Sequence, residues 1–187
     1  MDTLRRDDPE RALVSLYGML AQGFTRNTFI CGEGASLRPL DAGGRLFSLP
    51  PNSAANSHFL SMLRYLLVQD FDLNDDGKPE TLRLAFATPK RWLEEGKSFK
   101  IERAPTAFGP VFLKMESHLS QGEILAEVHL PERNAPEKIL LRARVPDGWK
   151  IISAQSGEKK FEADDKGTVN LTNLKGKISL RFLVKKS

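Results

Sequence analysis

A change in hydrophobic period limits what this chain can fold into. Apolar residues recur at three- and four-residue spacing up to Leu67 and alternate from Leu82 onward, which distinguishes a helix face from a strand face. Between them stands Phe71–Glu80, reading F-D-L-N-D-D-G-K-P-E, where Asp, Asn, Gly and Pro favour a turn. The pattern predicts an α+β chain in three parts. Two N-terminal helices and the long loop joining them occupy residues 1–70, an acidic hinge turn occupies 71–80, and an antiparallel β-sandwich occupies 81–187.

Local signals place the helices. Asp8-Pro9-Glu10 combines an N-cap oxygen, a proline where a missing N–H costs nothing, and an acid against the positive helix end. Leu13, Leu16, Tyr17 and Leu20 then share one face until Gly23 stops the helix. A second helix is expected from Ala54 to about Val68, capped by Asn52 or Ser53, with Phe59, Leu60, Leu63, Leu66 and Leu67 as its apolar face. Residues 24–51 carry Gly at 32, 34, 43 and 44 and Pro at 39, 50 and 51 with no period, and a connection this long is commonly a functional loop.

After the acidic turn, Leu82, Leu84 and Phe86 alternate, Thr88-Pro89 interrupts, and Lys90–Glu95 forms a short helical turn carrying Trp92 and closed by Gly96. Strands are expected near 98–103, 111–119, 123–130, 137–145, 149–155, 159–163, 168–172 and 177–184, punctuated by Gly122, Pro131, Pro136, Asp147-Gly148, Ser156-Gly157 and Lys175-Gly176. The polar strand 159–163 and the Lys-rich last strand suit edge positions, where charge discourages further pairing.

The acidic turn holds the best-defined chemical pattern. Asp72, Asn74 and Asp76 stand two apart, Gly77 follows and Glu80 comes three later, the D-x-[DN]-x-D-G-x-x-E order of a calcium loop. Side-chain oxygens of Asp72, Asn74, Asp76 and Glu80, with the Lys78 carbonyl, would ligate calcium as a structural cofactor. Arg83 stands where an EF-hand places its closing glutamate, so affinity would be weak; the alternative is a solvated turn without metal. In the loop, Glu33 between Gly32 and Gly34 has a sterically open approach, or else pairs with Arg26 or Arg38. Cys31 reads as a small buried side chain, and His58, His118 and His129 make no ligand spacing.

The net charge of +4 is spread through mixed signs without the concentrated basic face that phosphate tracking needs, which argues against nucleic acid as partner. No apolar run reaches membrane-spanning length, and the first residues lack the apolar core of a signal peptide. The single cysteine excludes an internal disulfide.

Three stretches together carry a family likeness: Phe29-Ile30-Cys31-Gly32-Glu33-Gly34-Ala35-Ser36-Leu37, Leu49-Pro50-Pro51-Asn52-Ser53-Ala54-Ala55-Asn56, and Pro89-Lys90-Arg91-Trp92-Leu93 with Ala104-Pro105-Thr106-Ala107-Phe108-Gly109-Pro110. From about Leu13 to Pro131 the chain resembles the C-terminal end of large bacterial proteins of the six-hairpin glycosidase type, in which an (α/α)6 toroid precedes a β-sandwich. The resemblance implies that residues 1–70 are the last hairpin of a toroid, and that the chain is the C-terminal portion of a carbohydrate-active, glycoside-hydrolase-like enzyme. It would close and support the toroid's active site, with the remaining toroid or a carbohydrate as partner and a periplasmic or extracellular location. Glu33 is then the candidate catalytic carboxylate, and Arg26, Glu33 and Trp92 are candidate substrate contacts. Glycoside hydrolysis needs two carboxyl groups about 5 to 10 Å apart, and two helices do not assemble them, so no activity is expected from the chain alone. The alternative is a free-standing β-sandwich module binding carbohydrate or protein, with Trp92 and Trp149 able to stack on sugar faces.

Overall fold

The structure, a computed structural model, describes residues 2–25, 27–35, 47–131 and 134–187, which fall into two units divided between Tyr65 and Leu66. The first unit contains α1 (Asp2–Arg5), α2 (Pro9–Gly23), the paired two-residue strands β1 (Gly34–Ala35) and β2 (Phe47–Ser48), and most of α3 (Ser53–Leu67). Both long helices begin at the expected caps. An Asp8 carboxylate oxygen accepts the Arg11 N–H at 3.2 Å, and Asn52 Oδ1 accepts the Ala55 N–H at 2.8 Å. The packed stripes keep Leu13, Leu16, Leu66 and Leu67 of the expected faces but shift at one edge. Ala12, Leu13 and Leu16 are buried on α2 while Tyr17 is 56% exposed, and Met62 is buried on α3 while Leu60 is 63% exposed. Period alone defines an apolar arc, and its packed edge depends on which neighbours arrive, such as Phe24 against Phe59 at 4.9 Å.

The second unit holds ten strands: β3 (Val68–Phe71), β4 (Thr81–Leu84), β5 (Ser98–Ala104), β6 (Val111–His118), β7 (Glu123–Leu130), β8 (Lys138–Arg142), β9 (Trp149–Ser156), β10 (Lys159–Glu162), β11 (Thr168–Asn170) and β12 (Gly176–Lys186). One sheet runs β10-β9-β12-β7-β6-β5 and the other β11-β8-β4-β3. Their inward residues form one core: Leu82, Leu84, Ile139, Leu141 and Val169 from the smaller sheet with Val111, Leu113, Met115, Ile124, Val128, Leu180 and Phe182 from the larger. This is the α+β sandwich that the alternation predicts. Among the described residues no helix is long and apolar enough to cross a membrane.

Three expectations are corrected. Residues 68–71, expected as the end of the helix and the start of the turn, form a strand, because Val68 to Phe71 find an antiparallel partner in β4, with Val68 opposite Leu84 and Phe71 opposite Thr81. The acidic stretch is therefore the loop of a hairpin inside the second unit, and the division between units comes earlier, after Tyr65. The smaller sheet is mixed: β4 and β8 pair parallel, because the chain builds β5, β6 and β7 into the other sheet before returning. The Lys-rich β12 is central, between β9 and β7, while β10 takes the edge as expected. Alternation explains β12. Ile178, Leu180, Phe182 and Val184 enter the core, and the outward Lys177 and Arg181 meet Glu127 and Glu123 across the strand.

Candidate functional site

The residues singled out by the sequence are distributed as follows. Glu33 is exposed on the stretch leading into β1, where its backbone N–H donates to the Ser48 carbonyl at 3.0 Å. Arg26 and Arg38 lie outside the described residues. Trp92, in the short 3-10 turn Lys90–Leu93 of the second unit, is half-buried and packs on Phe99 with ring centroids 5.6 Å apart. Its indole belongs to the edge of the core. Cys31 is buried and donates weakly to the Gly32 carbonyl, and burial pushes its thiol pKa up, opposite to what a nucleophile requires.

The acidic turn is organised by its own backbone. Asp72 Oδ1 accepts the Asp76 N–H at 3.2 Å and Oδ2 the Gly77 N–H at 2.8 Å; Asp76 Oδ1 accepts the Lys78 N–H at 2.9 Å. Asn74 Oδ1 also accepts the Asp76 N–H at 3.2 Å, and Glu80 turns back to accept the Leu73 N–H at 3.1 Å and the Thr81 hydroxyl at 2.8 Å. Of the expected calcium set of Asp72, Asn74, Asp76, Lys78 and Glu80, the side-chain oxygens of Asp72, Asn74, Asp76 and Glu80 are turned to N–H and hydroxyl donors of the loop, and among the described residues no group of three or more His, Cys, Asp or Glu side chains is placed to hold a metal ion. Backbone N–H dipoles offset the like charges here.

The packing of three arginines has no signal in the sequence. Arg142 and Arg144 are buried, Arg142 Nε donates to Thr168 Oγ1 at 2.8 Å, and Arg144 Nη1 donates to the Thr88 carbonyl at 2.6 Å. The guanidinium groups of Arg142 and Arg83 lie 3.9 and 5.2 Å from the Phe86 ring centroid. In the local patterns L-R-L and L-R-A-R these residues read as outward and solvated, and nothing local signals that their face is covered.

A shallow, open cleft of about 430 Å³ lies in the second unit where two short turns meet the paired ends of β9 and β12. Its apolar lining comes from Trp149, Pro146 and Leu119. Glu94 and Glu95 follow the Lys90–Leu93 turn into it, Ser120 faces Glu95 from the Leu119–Gln121 turn, and Lys186 places its ammonium 5.6 Å from the Trp149 ring centroid. Glu95 is locked: Oε2 accepts the Ser120 N–H at 2.7 Å and Oε1 the Ser120 hydroxyl at 2.8 Å. These bonds, the backbone one foremost, hold its carboxyl below the usual glutamate range. Glu94 is held low chiefly by its hydrogen bond from Lys97 at 2.5 Å, with Arg91 adding to it. Both groups are therefore fixed hydrogen-bond acceptors at neutral pH, and neither is suited to protonate a leaving group. Comparison with protein-family models, with curated proteins and with solved structures finds no match for this chain.

Proposed function

We propose that this chain is the non-catalytic, C-terminal supporting portion of a carbohydrate-active, glycoside-hydrolase-like protein. In this reading the helices of the first unit close a helical toroid whose other hairpins carry the chemistry, and the sandwich braces it. The observation that carries the reading is the distribution of exposed apolar side chains. Of the eight large ones among the described residues, Val14, Tyr17, Phe29, Ile30, Leu49 and Leu60 belong to the first unit, and only Leu125 and Ile152 belong to the much longer second. A surface of that composition suits further helical packing, since burying each such side chain is worth about 1.5 to 3 kcal/mol. The test is turnover: the purified chain should release no sugar from a panel of glycans, and Glu33→Gln should change nothing. Sugar release by the chain, lost in Glu33→Gln, would overturn the reading. The second reading, a sandwich that binds carbohydrate in its own right, is favoured by the cleft at Trp149.

A further inference from the structure

We infer that the cleft at Trp149 is a binding site for a neutral saccharide, with the half-buried indole and Pro146 taking the C–H face of a sugar ring and Glu94 and Glu95 accepting from its hydroxyls. Its volume of about 430 Å³ lies in the ~300–1,000 Å³ range of small-molecule sites, and its make-up is theirs: an apolar floor with a few placed polar groups. The polar groups are of mixed sense. Carboxylates accept and the Lys186 ammonium donates, while the Ser120 oxygen, whose proton is held by Glu95, can only accept; this suits a ligand whose hydroxyls both donate and accept.

Charge separates this ligand from its competitors. A cation would be repelled by the Lys186 ammonium 5.6 Å from the indole centroid, an exposed side chain that a neutral ring need only push aside, and both carboxylates already hold donors, Glu94 from Lys97 and Arg91 and Glu95 from Ser120. An anion would face the two carboxylates of the same wall. A neutral polyol avoids both costs and needs only the lone pairs that these bonds leave open. The locked Glu95 is preorganised, so binding it costs little side-chain entropy. Saccharide is held here and not cleaved, because hydrolysis needs a protonated carboxylic acid beside the glycosidic oxygen. The inference does not depend on the toroid reading: a sandwich with this cleft would bind whether or not the first unit packs on other helices.

The test is a ¹H–¹⁵N NMR titration of the whole chain with cellohexaose, maltohexaose and mannohexaose, with trilysine and trigalacturonate as charged controls. At least one neutral oligosaccharide should shift the Trp149 indole N–H and the amides of Glu94, Glu95 and Ser120. Trp149→Ala should weaken binding about tenfold, the loss of an aromatic platform. Because Trp149 also packs against the core, Glu94→Gln serves as a variant that leaves the core untouched, and it should weaken binding roughly threefold by replacing a charged acceptor with a neutral one. Three results would overturn the inference: no shift of these signals with any neutral oligosaccharide, an affinity unchanged in Glu94→Gln and in folded Trp149→Ala, or a response to trilysine or trigalacturonate alone.

Discussion

Asp72 shows a single carboxylate organising a turn. Its two oxygens take the N–H groups of Asp76 and Gly77, and Gly77, at φ +89°, lets the chain double back over them. Asp72→Ala should cost about 1–2 kcal/mol in urea unfolding, two hydrogen bonds to a charged group near the surface. Melting curves in millimolar calcium and in chelator should superimpose; a calcium-dependent rise that disappears in Asp76→Ala would restore the metal. The carboxylates of the large sheet and its turns make a second prediction. Glu95, Glu116 and Glu127 are held below the usual range first by hydrogen bonds, from Ser120, Lys114 and His129 respectively. A carboxyl whose folded pKa is depressed contributes stability that is present above its unfolded value, about 4.3 for Glu, and is lost as pH falls through the folded value. The melting temperature should therefore vary little with these groups from neutral pH to about 5 and decline below about 4.3, as a pH series by calorimetry would record.

β12 is the element on which the large sheet depends. It pairs with β7 from Gly176 to Leu183 and with β9 from Arg181 to Lys186, and its Phe182 is fully buried. Phe182→Ala should cost about 3–5 kcal/mol, visible as a large fall in the unfolding midpoint, whereas an outward change such as Ser179→Thr should leave it nearly unmoved. The entry to β11 is constrained differently. Gly167 sits at φ +77°, and a Cβ there would lie 2.6 Å from the Ala143 carbonyl oxygen and 2.9 Å from Ile151 Cγ1. Gly167→Ala therefore combines a left-handed backbone with a contact against main chain that cannot move aside, and should cost about 2–4 kcal/mol in the same measurement.

At the scale of the molecule the two units are unequal. Among the described residues the continuous core comes from residues 67–184, whereas the buried apolar residues of the first unit are Leu4, Ala12, Leu13, Leu16, Cys31 and Met62. Hydrogen exchange through α2 and the first turns of α3 should precede exchange through β6, β7 and β12, since local opening is cheapest where least apolar area is buried. Uniform protection across both would remove the support for a helical unit that packs on further hairpins.

What the sequence determined by itself was local. Asp8 and Asn52 announce helix starts, and alternation with Gly and Pro punctuation marks β5, β6, β7, β9, β10 and β12 to within a residue or two, because caps and strand periods are set by a segment's own backbone. Val68–Phe71 escaped because its two apolar residues, Val68 and Phe71, stand three apart around Gln69 and Asp70 and so continue a helix period, and only the ladder with β4 makes the segment a strand. The neighbours of a strand are likewise not local: β12 became central and β4 met β8 in parallel because one core had to be closed from both sheets. The cleft is the furthest case. Glu94 and Glu95, Ser120, Trp149 and Lys186 are far apart in the chain, and their separate patterns name a turn, a turn, a strand start and a strand end. The tertiary structure alone makes them one site, because the pairing of Lys186 with Trp149 and the hold of Glu95 on Ser120 each join segments that carry no signal of one another.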